Sequence, residues 1–248
     1  MAHHGENGSK NGSALRNERR ALVTGGGSGI GRAIALALAA EGFGLVLVGR
    51  SRNKLEAVAR EAGTSTKIVV ADLATMEGVG TVLQAVGESL DVIVHCAGRY
   101  LREPVGLISA EAWRSMDELN VRAPILLVSG CLAQLRSTQG QVVFINSTVG
   151  LGCAAPGLAA YAAGRHALKA AVDVLRQEVN AQGIRVLSIY PGRTDTPNQS
   201  AILAAEGRTA PPGSLMRPED VACMTMAALK LPRTAEVTDI IMRPMRPL

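Results

Sequence analysis

Short apolar segments alternate with longer segments of helical character along most of this chain. Seven segments are apolar without polar alternation, which is typical of strands covered on both faces of a parallel sheet. They lie at 20–24, 44–48, 67–71, 91–95, 141–145, 185–190 and 237–242. The segments between them are rich in Ala, Leu and Glu, and helices are predicted at 29–41, 53–61, 75–88, 110–136, 158–182 and 218–229. The alternation predicts an α/β fold with a doubly wound sheet of about seven parallel strands.

Two segments fall outside this alternation. Residues 1–19 are rich in Gly, Asn and Ser and have no apolar period, so we expect a disordered leader there. Residues 196–216 contain several Gly and Pro residues, and long loops in compact domains are usually functional, so this segment is a candidate substrate lid. No repeat or linker divides residues 20–248, which are therefore predicted to form a single domain.

The composition narrows the class of protein. Of 248 residues 47% are hydrophobic, which excludes a disordered chain, and no apolar run approaches the roughly 18 to 20 residues of a membrane span. Four scattered cysteines without a CxxC pair indicate a reducing, cytoplasmic environment. The net charge of +5 permits an anionic partner, but six aromatic residues leave little for base stacking. We therefore expect a phosphorylated small molecule as partner, not nucleic acid or a membrane.

A glycine-rich turn joins the first predicted strand to the first predicted helix. Its sequence, TGGGSGIG at 24–31, has the spacing GxxxGxG. Glycine lets backbone N–H groups approach a pyrophosphate, and a helix N-terminus favours the negative charge. The turn predicts a dinucleotide site, with a plain turn as the alternative. The residues expected at the cofactor are Gly25, Ser28, Gly29, Ile30 and Gly31.

The second predicted strand indicates which dinucleotide binds. An acidic residue about 20 positions after the glycines would hold the ribose of NAD, but this strand ends in Gly49, Arg50, Ser51 and Arg52. Because an arginine pairs with the 2′-phosphate of NADP, we predict NADP(H), with Arg50 and Ser51 as contacts, unless these arginines are only solvated. Residues 21–60 also hold five basic and two acidic side chains, so much of the net charge lies where this cofactor is expected.

Further motifs complete a resemblance to the short-chain dehydrogenase/reductase family that extends from residue 20 to residue 242. Together with TGGGSGIG they are HCAG at 95–98, ELNVRAP around Asn120, FINSTVG around Ser147, YAAGRHALK from Tyr161 and PGRTDT at 191–196. The resemblance implies a Rossmann-type fold and hydride transfer between a nicotinamide and a carbonyl or alcohol substrate. It also implies a homodimer or homotetramer formed through the helices at 110–136 and 158–182.

The resemblance implies roles for individual residues. Tyr161 would be the general acid in reduction, Ser147 would hydrogen-bond the substrate oxygen, and Asn120 would hold a water of the proton relay. A phenol suits an alkoxide that forms as hydride arrives, and a nearby cation lowers the pKa of a phenol. Asn120 could instead be only a buried hydrogen-bonding group, and Asp72 could equally cap the next helix. The other cofactor contacts expected are Asp72, Leu73, Ala97, Gly98, Tyr161, Arg165, Pro191, Gly192, Thr194 and Thr196.

One position departs from the family pattern. The family has Tyr-x-x-x-Lys, whereas this chain has Tyr161 followed four residues later by Arg165. The two side chains share a helix face, so Arg165 keeps a cation near the phenol and could bond the cofactor ribose, but its planar head does not copy an ammonium group. Three interpretations stay open: an active oxidoreductase, a dinucleotide-binding sensor or structural protein without turnover, and a different chemistry such as epimerisation or dehydration.

The surroundings of Tyr161 suggest an assembly and a substrate class. The helix at 158–172 is rich in alanine, and this apolar surface favours a partner subunit unless the helix is buried in the monomer. His166 is expected to point about 140° away from Tyr161 and to pack in the core. The candidate substrate walls, at 99–108, 151–158 and 196–216, are partly apolar, so we expect a small or medium hydrophobic carbonyl compound. Arg193 and Asp195 are candidates for polar selection of that substrate.

Overall fold

In the computed structural model, residues 19–152 and 154–246 are described, so nearly all of the leader predicted at 1–19 lies outside them, as does Cys153. The strands in this part of the chain are β1 (Arg20–Thr24), β2 (Gly44–Gly49), β3 (Thr66–Val70), β4 (Val92–His95), β5 (Gln141–Ile145), β6 (Arg185–Pro191) and β7 (Asp239–Met242). They form one sheet in the order β3-β2-β1-β4-β5-β6-β7, and every neighbouring pair is parallel. The order reverses direction between β1 and β4, which is where ligands bind in such sheets.

Helices cover both faces of the sheet. Within the described ranges they are α1 (Gly29–Ala40), α2 (Arg52–Ala62), α3 (Met76–Ala85), α4 (Ala110–Asp117), α5 (Ala123–Gly130), α6 (Leu132–Thr138), α7 (Ala159–Val179), α8 (Pro197–Ala205) and α9 (Pro218–Leu229). Helices α1, α2 and α9 pack on one face, and α3, α5 and α7 pack on the other. The doubly wound sheet predicted from the alternation of segments is confirmed.

Strand β1 shows why the apolar segments have no polar alternation. Leu22 faces the core on the α3, α5 and α7 side, whereas Ala21 and Val23 face the core on the opposite side. Successive side chains of a strand point to opposite faces, and here each face is covered by helices, so all three are fully buried. Burial of an aliphatic side chain of this kind stabilises the fold by about 1.5–3 kcal/mol.

The prediction of one continuous helix at 110–136 is wrong. Helix α4 passes into a π-helical turn at Glu118–Arg122 before α5 begins, and α6 follows as a separate helix. Pro124 has no N–H to donate to the carbonyl of Asn120, four residues earlier, and its ring crowds that carbonyl. The chain adopts the wider turn instead, with the N–H of Ala123 donating to the carbonyl of Glu118. Single π-turns inside helices are frequent at functional sites.

The candidate lid at 196–216 contains a helix that the sequence analysis did not predict. Thr196 is the N-cap of α8 and accepts a hydrogen bond from the N–H of Gln199 at 3.1 Å, and Pro197 occupies the first helical position. A threonine followed by proline is a common helix start. The Gly and Pro residues later in the segment favoured a loop, so the helix was not predicted. Among the described helices none has the length and apolar character needed to cross a membrane.

Candidate active site

A cleft of about 680 Å³ opens at the carboxyl ends of the strands. Its walls come from the segments that follow β1 to β6, together with α7 and α8. Of the catalytic, cofactor-binding and substrate-selecting residues that the sequence predicts, all line this cleft except Gly31, Asn120 and Asp195. The volume is typical of a site for a cofactor or small molecule.

The glycine-rich turn after β1 has no room for side chains. A Cβ atom at Gly25 would lie 2.9 Å from the backbone nitrogen of Ala97, and one at Gly31 would lie 2.3 Å from the carbonyl oxygen of Gly25. Gly29 has a φ of +52°, and its Cβ would lie 2.9 Å from Cγ2 of Thr196. The turn therefore presents bare backbone to the cleft at the N-terminus of α1, an arrangement that suits a pyrophosphate.

The ends of β1 and β4 are locked together by Thr24. Its hydroxyl accepts hydrogen bonds from the N–H groups of Cys96 and Ala97, both at 3.1 Å. His95 is buried and stacks on Phe144 with ring centroids 4.9 Å apart, and burial lowers the pKa of His95 to about 3. Burial likewise raises the pKa of Cys96 to about 12, against the opposing charge of Arg165. His95 and Cys96 therefore add no charged or nucleophilic group to the cleft at neutral pH.

Three polar side chains line the cleft where β2 leads into α2. Arg50 and Ser51 line the cleft and are exposed, and Ser51 is the N-cap of α2 without using its hydroxyl to cap. Arg52 does not line the cleft and lies 3.8 Å from Glu56 instead. Lys54, which the sequence analysis did not single out, also lines the cleft. Lys54 lies three residues after Ser51, a predicted contact, and in the first turn of α2, and this position could have identified it from the sequence.

Asp72 shapes the turn after β3 and does not cap α3. One carboxylate oxygen accepts a hydrogen bond from the N–H of Ala74 at 3.0 Å, and Thr75 is the residue that caps α3, accepting from Gly78 at 3.0 Å. Asp72 is exposed, and both it and Leu73 line the cleft. The sequence left two roles open for Asp72, a cofactor contact and the cap of the next helix. The cap is Thr75, so the second role does not apply to Asp72.

Tyr161 and Arg165 form a stacked pair on the first turns of α7. Tyr161 is 9% exposed and Arg165 7% exposed, and the guanidinium carbon lies 5.0 Å from the centre of the phenol ring. Nη1 of Arg165 donates to the carbonyl of Ile145, at the end of β5, at 3.3 Å. A Cβ at Gly98 would lie 2.6 Å from Nη2 of Arg165. The guanidinium is thus held against the phenol, and the family-like glycine at 98 makes room for it.

Ser147 and Asn146 connect the end of β5 to α7. The hydroxyl oxygen of Ser147 accepts from the N–H of Val149 at 3.2 Å, which leaves its proton available as a donor. Asn146 is buried, accepts from the N–H of Ser147 at 2.9 Å and donates to the carbonyl of Arg165 at 3.1 Å. Asn146 therefore fixes Ser147 relative to the Tyr161 helix, a role that the sequence analysis missed.

Asn120 lies in the π-helical turn and is 1% exposed. Its side-chain oxygen accepts from the N–H of Arg99 at 2.8 Å, and its nitrogen donates to the carbonyl of the same residue at 2.9 Å. The side-chain amide is thus occupied by the backbone of the segment after β4. The main-chain carbonyl of Asn120 cannot accept a hydrogen bond from Pro124.

The segment after β6 completes the cleft. The N–H of Gly192 donates to the carbonyl of Met242 on β7 at 2.8 Å, and the hydroxyl of Thr194 donates to the carbonyl of Gly192 at 3.1 Å. Pro191 and Thr196 line the cleft with them. These bonds hold the segment close to the glycine-rich turn, where Thr196 approaches Gly29.

His166 points away from the cleft, but its predicted burial in the core is wrong. It is exposed, and its Nδ1 lies 2.9 Å from the carbonyl oxygen of Ala162. Its neighbours at the same face of α7 are exposed as well, namely Ala163, Ala167, Ala170 and Val174. The alternative that this face is buried within the monomer is therefore wrong for these residues.

Comparisons with known proteins agree with this geometry. The model of the short chain dehydrogenase family matches residues 19–207. An uncharacterised oxidoreductase of Staphylococcus aureus is 31% identical over 232 residues, which are 92% of this chain and 97% of that protein. L-sorbose reductase from Gluconobacter frateurii, solved with NADPH and L-sorbose, is 27% identical with a TM-score of 0.82 and covers 92% of this chain and 95% of its own. An alcohol dehydrogenase from Thermococcus sibiricus, solved with 5-hydroxy-NADP, is 27% identical with a TM-score of 0.80 over 92% and 97% of the two chains.

Proposed function

Because this chain belongs to the short-chain dehydrogenase/reductase family of oxidoreductases, we propose that it uses NADP(H) to interconvert a carbonyl compound and an alcohol. The observation that carries the proposal is the juxtaposition of Tyr161, Arg165 and Ser147 in one cleft with the glycine-rich turn. In the reducing direction the balanced reaction takes NADPH, a proton and a carbonyl compound to NADP⁺ and an alcohol.

The residues of the cleft suit NADP(H). Gly25 and Gly29 leave backbone exposed to the cleft for the pyrophosphate, and Gly31 lets the turn pack closely against Gly25, since a Cβ atom at each of the three would collide with its surroundings. Arg50, Ser51 and Lys54 offer two cations and a free hydroxyl for the 2′-phosphate. The similar sorbose reductase and alcohol dehydrogenase were solved with NADPH and with 5-hydroxy-NADP, which supports the same choice here.

The cofactor would supply the hydride, and the chain's own residues would handle the proton. The Tyr161 hydroxyl donates a proton to the carbonyl oxygen as it gains negative charge, while the Ser147 hydroxyl donates a second hydrogen bond to the same oxygen. Arg165 provides positive charge beside the phenol, because its guanidinium carbon lies 5.0 Å from the centre of the Tyr161 ring. Asn120 positions the segment that carries Arg99.

The experiment that tests this proposal mixes the purified chain with NADPH and a panel of ketones, aldehydes and quinones while the absorbance of the reduced nicotinamide is followed. We expect NADPH to be consumed in step with alcohol formation for at least one carbonyl. Tight binding of NADPH without consumption by any member of the panel would contradict it.

The second candidate is a dinucleotide-binding sensor or structural protein without turnover. The observation that favours it is the anchoring of Arg165: Nη1 donates to the strand-end carbonyl of Ile145, so the guanidinium is held in the wall of the cleft. A group held in this way binds a ribose less freely than a lysine ammonium would. The NADPH assay above distinguishes the two candidates, because a sensor binds NADPH and leaves it unoxidised.

We further propose that the described fold acts as a homodimer or homotetramer with α8 and the residues up to 216 as a substrate lid. The exposed stripe on α7 is formed by Ala163, Ala167, Ala170 and Val174, and Val174 is 55% exposed in the single chain. Small residues let two helices approach closely, and these four residues are apolar, with the exposed His166 beside them on the same face.

A further inference from the structure

One end of the cleft is rich in arginine. Arg99 and Arg102, from the segment after β4, and Arg193, from the segment after β6, all line it. Within the described residues only two acidic side chains line the cleft, Glu206 at this end and Asp72 after β3. Arg102 and Arg193 share the Glu206 carboxylate, whereas Arg99 donates to the hydroxyl of Ser115 instead. The three guanidinium groups thus outnumber the single carboxylate and leave an excess of positive charge.

Glu206 holds two of these arginines in place. It follows α8 directly, its side chain is only 7% exposed, and it accepts hydrogen bonds from Nη1 of Arg102 at 2.8 Å and from Nη2 of Arg193 at 2.9 Å. Burial alone would raise the pKa of this carboxyl, but the hydrogen bonds and charges of Arg193 and Arg102 outweigh burial and lower it. Glu206 is therefore ionised at neutral pH, and the excess of cations persists.

The arginines lie next to the proposed proton donor. The Tyr100 ring meets the Tyr161 ring edge to face, with centroids 5.1 Å apart. The pKa of the Tyr100 hydroxyl is raised, first by burial and then by the charge of Glu206, while Arg102 and Arg193 act in the opposite direction. Tyr100 thus contacts Tyr161 and also feels the charges of Arg102, Arg193 and Glu206, which puts these charged groups on the Tyr161 side of the cleft.

Two side-chain nitrogens at this end are buried without a hydrogen-bond partner in the described part of the chain. They are Nη1 of Arg193 and Nε2 of Gln199, and both residues line the cleft. Arg102 and Arg193 each use one terminal nitrogen on Glu206 and have N–H groups left over. Forks of guanidinium N–H groups match the oxygens of a carboxylate or phosphate.

We propose that Arg99, Arg102 and Arg193, here called the arginine cluster, bind an oxyanion group of the substrate, and that Glu206 holds Arg102 and Arg193 in position. The preferred substrate is then a small carbonyl compound that also carries a carboxylate or a phosphate ester. This narrows the hydrophobic carbonyl compound expected from the sequence to one with an apolar chain and an anionic end, and the apolar residues Leu158 and Ile202 also line the cleft. The carbonyl half of the substrate depends on the proposed function, whereas the anion site is testable by binding alone.

The binding experiment is calorimetry on the full chain, free and saturated with NADP⁺. The probes are the oxo acids pyruvate, acetoacetate and levulinate, each with its methyl ester, and dihydroxyacetone phosphate with dihydroxyacetone. We expect at least one charged probe to bind about tenfold or more tightly than its neutral counterpart, as charge-assisted hydrogen bonds imply. The two series separate a carboxylate from a phosphate. Equal affinities within each pair would overturn the anion site.

Matched variants assign the effect to the cluster. Arg102→Gln and Arg193→Gln are expected to remove the preference for the charged probe. The control is Arg208→Gln, which removes the same charge 3.8 Å from the same carboxylate but does not line the cleft, and it should keep the preference within about twofold. An equal loss in Arg208→Gln would contradict direct binding.

A fourth variant tests whether the arginines bind an anion or only form structural ion pairs with Glu206. In Glu206→Gln the arginines lose their ionised partner, so anion binding should be retained or strengthened, provided the melting temperature shows a folded chain. Loss of anion binding in folded Glu206→Gln would overturn the proposal.

Turnover with NADPH then tells the two proposals apart. Consumption of NADPH by neutral ketones with no preference for the charged analogues would sink the anion site and leave the oxidoreductase standing. Binding of the charged probes without any consumption of NADPH would support the anion site and contradict the oxidoreductase.

Discussion

At the scale of single residues, the Tyr161 and Arg165 pair is the unusual feature of this chain. The guanidinium lies 5.0 Å from the phenol ring centre and is fixed by the carbonyl of Ile145 and the space left at Gly98. A charge at this distance in a buried site acts more strongly than it would in water. Arg165 can therefore supply the positive charge that the family lysine provides, but its planar guanidinium does not place hydrogen-bond donors where an ammonium group would.

The substitution Arg165→Lys tests that division of roles. Lysine restores the family pattern, so the variant should turn over at least as fast as the wild type, and its pH–rate profile should change because the cation beside Tyr161 has changed. Steady-state rates across pH measure both. An unchanged profile would count against any influence of residue 165 on Tyr161.

The residues at the end of β2 predict a cofactor preference. Arg50→Ala should weaken NADPH binding by about tenfold to a hundredfold, through loss of charge-assisted hydrogen bonds to the 2′-phosphate, and should leave NADH binding nearly unchanged. The control is Arg52→Ala, since Arg52 is exposed and lies against Glu56 outside the cleft. Fluorescence titration with both cofactors measures the ratio. If the two variants lose NADPH equally, specific recognition by Arg50 is excluded.

Candidate residues could be identified from motifs at this scale because their types reflect local chemistry. Glycines that leave no room for a Cβ, and an arginine where an acid would repel phosphate, can be recognised from sequence. Asn146, Tyr100 and Glu206 were missed because their partners are distant in sequence. Glu206, for example, meets Arg102 across 104 positions of the chain.

At the scale of elements, the strands and the helix at 218–229 followed directly from hydrophobic pattern, but the helix at 110–136 did not. A proline inside an otherwise helical pattern signals a break, yet whether the chain kinks, stops or widens depends on packing. Here the π-turn places Asn120 where its amide reaches both backbone groups of Arg99. That outcome depends on the segment after β4, which the helical pattern does not encode.

The role of the glycine-rich turn in cofactor binding can be tested at Gly29, with Gly42 as the control. Gly29→Ala and Gly42→Ala both place a side chain at positive φ, +52° and +79°, so both should lower the free energy of unfolding by roughly 1–2 kcal/mol. Only at Gly29 does the new Cβ meet another residue, Thr196 at 2.9 Å, whereas Gly42 has nothing within 4 Å. NADPH affinity should therefore fall about tenfold or more in Gly29→Ala alone. Urea unfolding and NADPH titration are the two measurements, and equal loss of affinity in both variants would contradict the role of the turn.

At the scale of the whole molecule, the exposed stripe on α7 predicts self-association. Light scattering should give two or four times the chain mass of 25.8 kDa. Val174→Glu places a charge in the stripe and should shift the mass toward the monomer, because a buried unpaired charge is costly. Met76→Glu is the control, since Met76 is also an exposed apolar residue, 59% exposed, but lies at the start of α3. A wild-type mass near that of one chain would refute the oligomer.

The sequence places the excess charge near the expected cofactor, and the structure adds a second basic region. Arg50 and Lys54 lie where β2 leads into α2, while Arg99, Arg102 and Arg193 come from the segments after β4 and β6. Net charge summed along the chain cannot show the second region, because Glu103 and Asp195 are close in sequence and do not line the cleft. The charge of the cleft is thus a property of the folded molecule.

The most direct test of the central claim, that Tyr161 donates the proton in an NADPH-dependent reduction, is the single-turnover rate of hydride transfer in Tyr161→Phe. With NADPH bound beforehand and a carbonyl substrate from the panel, we expect the rate to fall by about 10²–10⁴-fold while NADPH affinity stays within about threefold of the wild type. Tyr190→Phe, the same change at a fully buried tyrosine of β6 that does not line the cleft, should keep the wild-type rate. A Tyr161→Phe enzyme that retains a tenth or more of the wild-type rate would contradict the account.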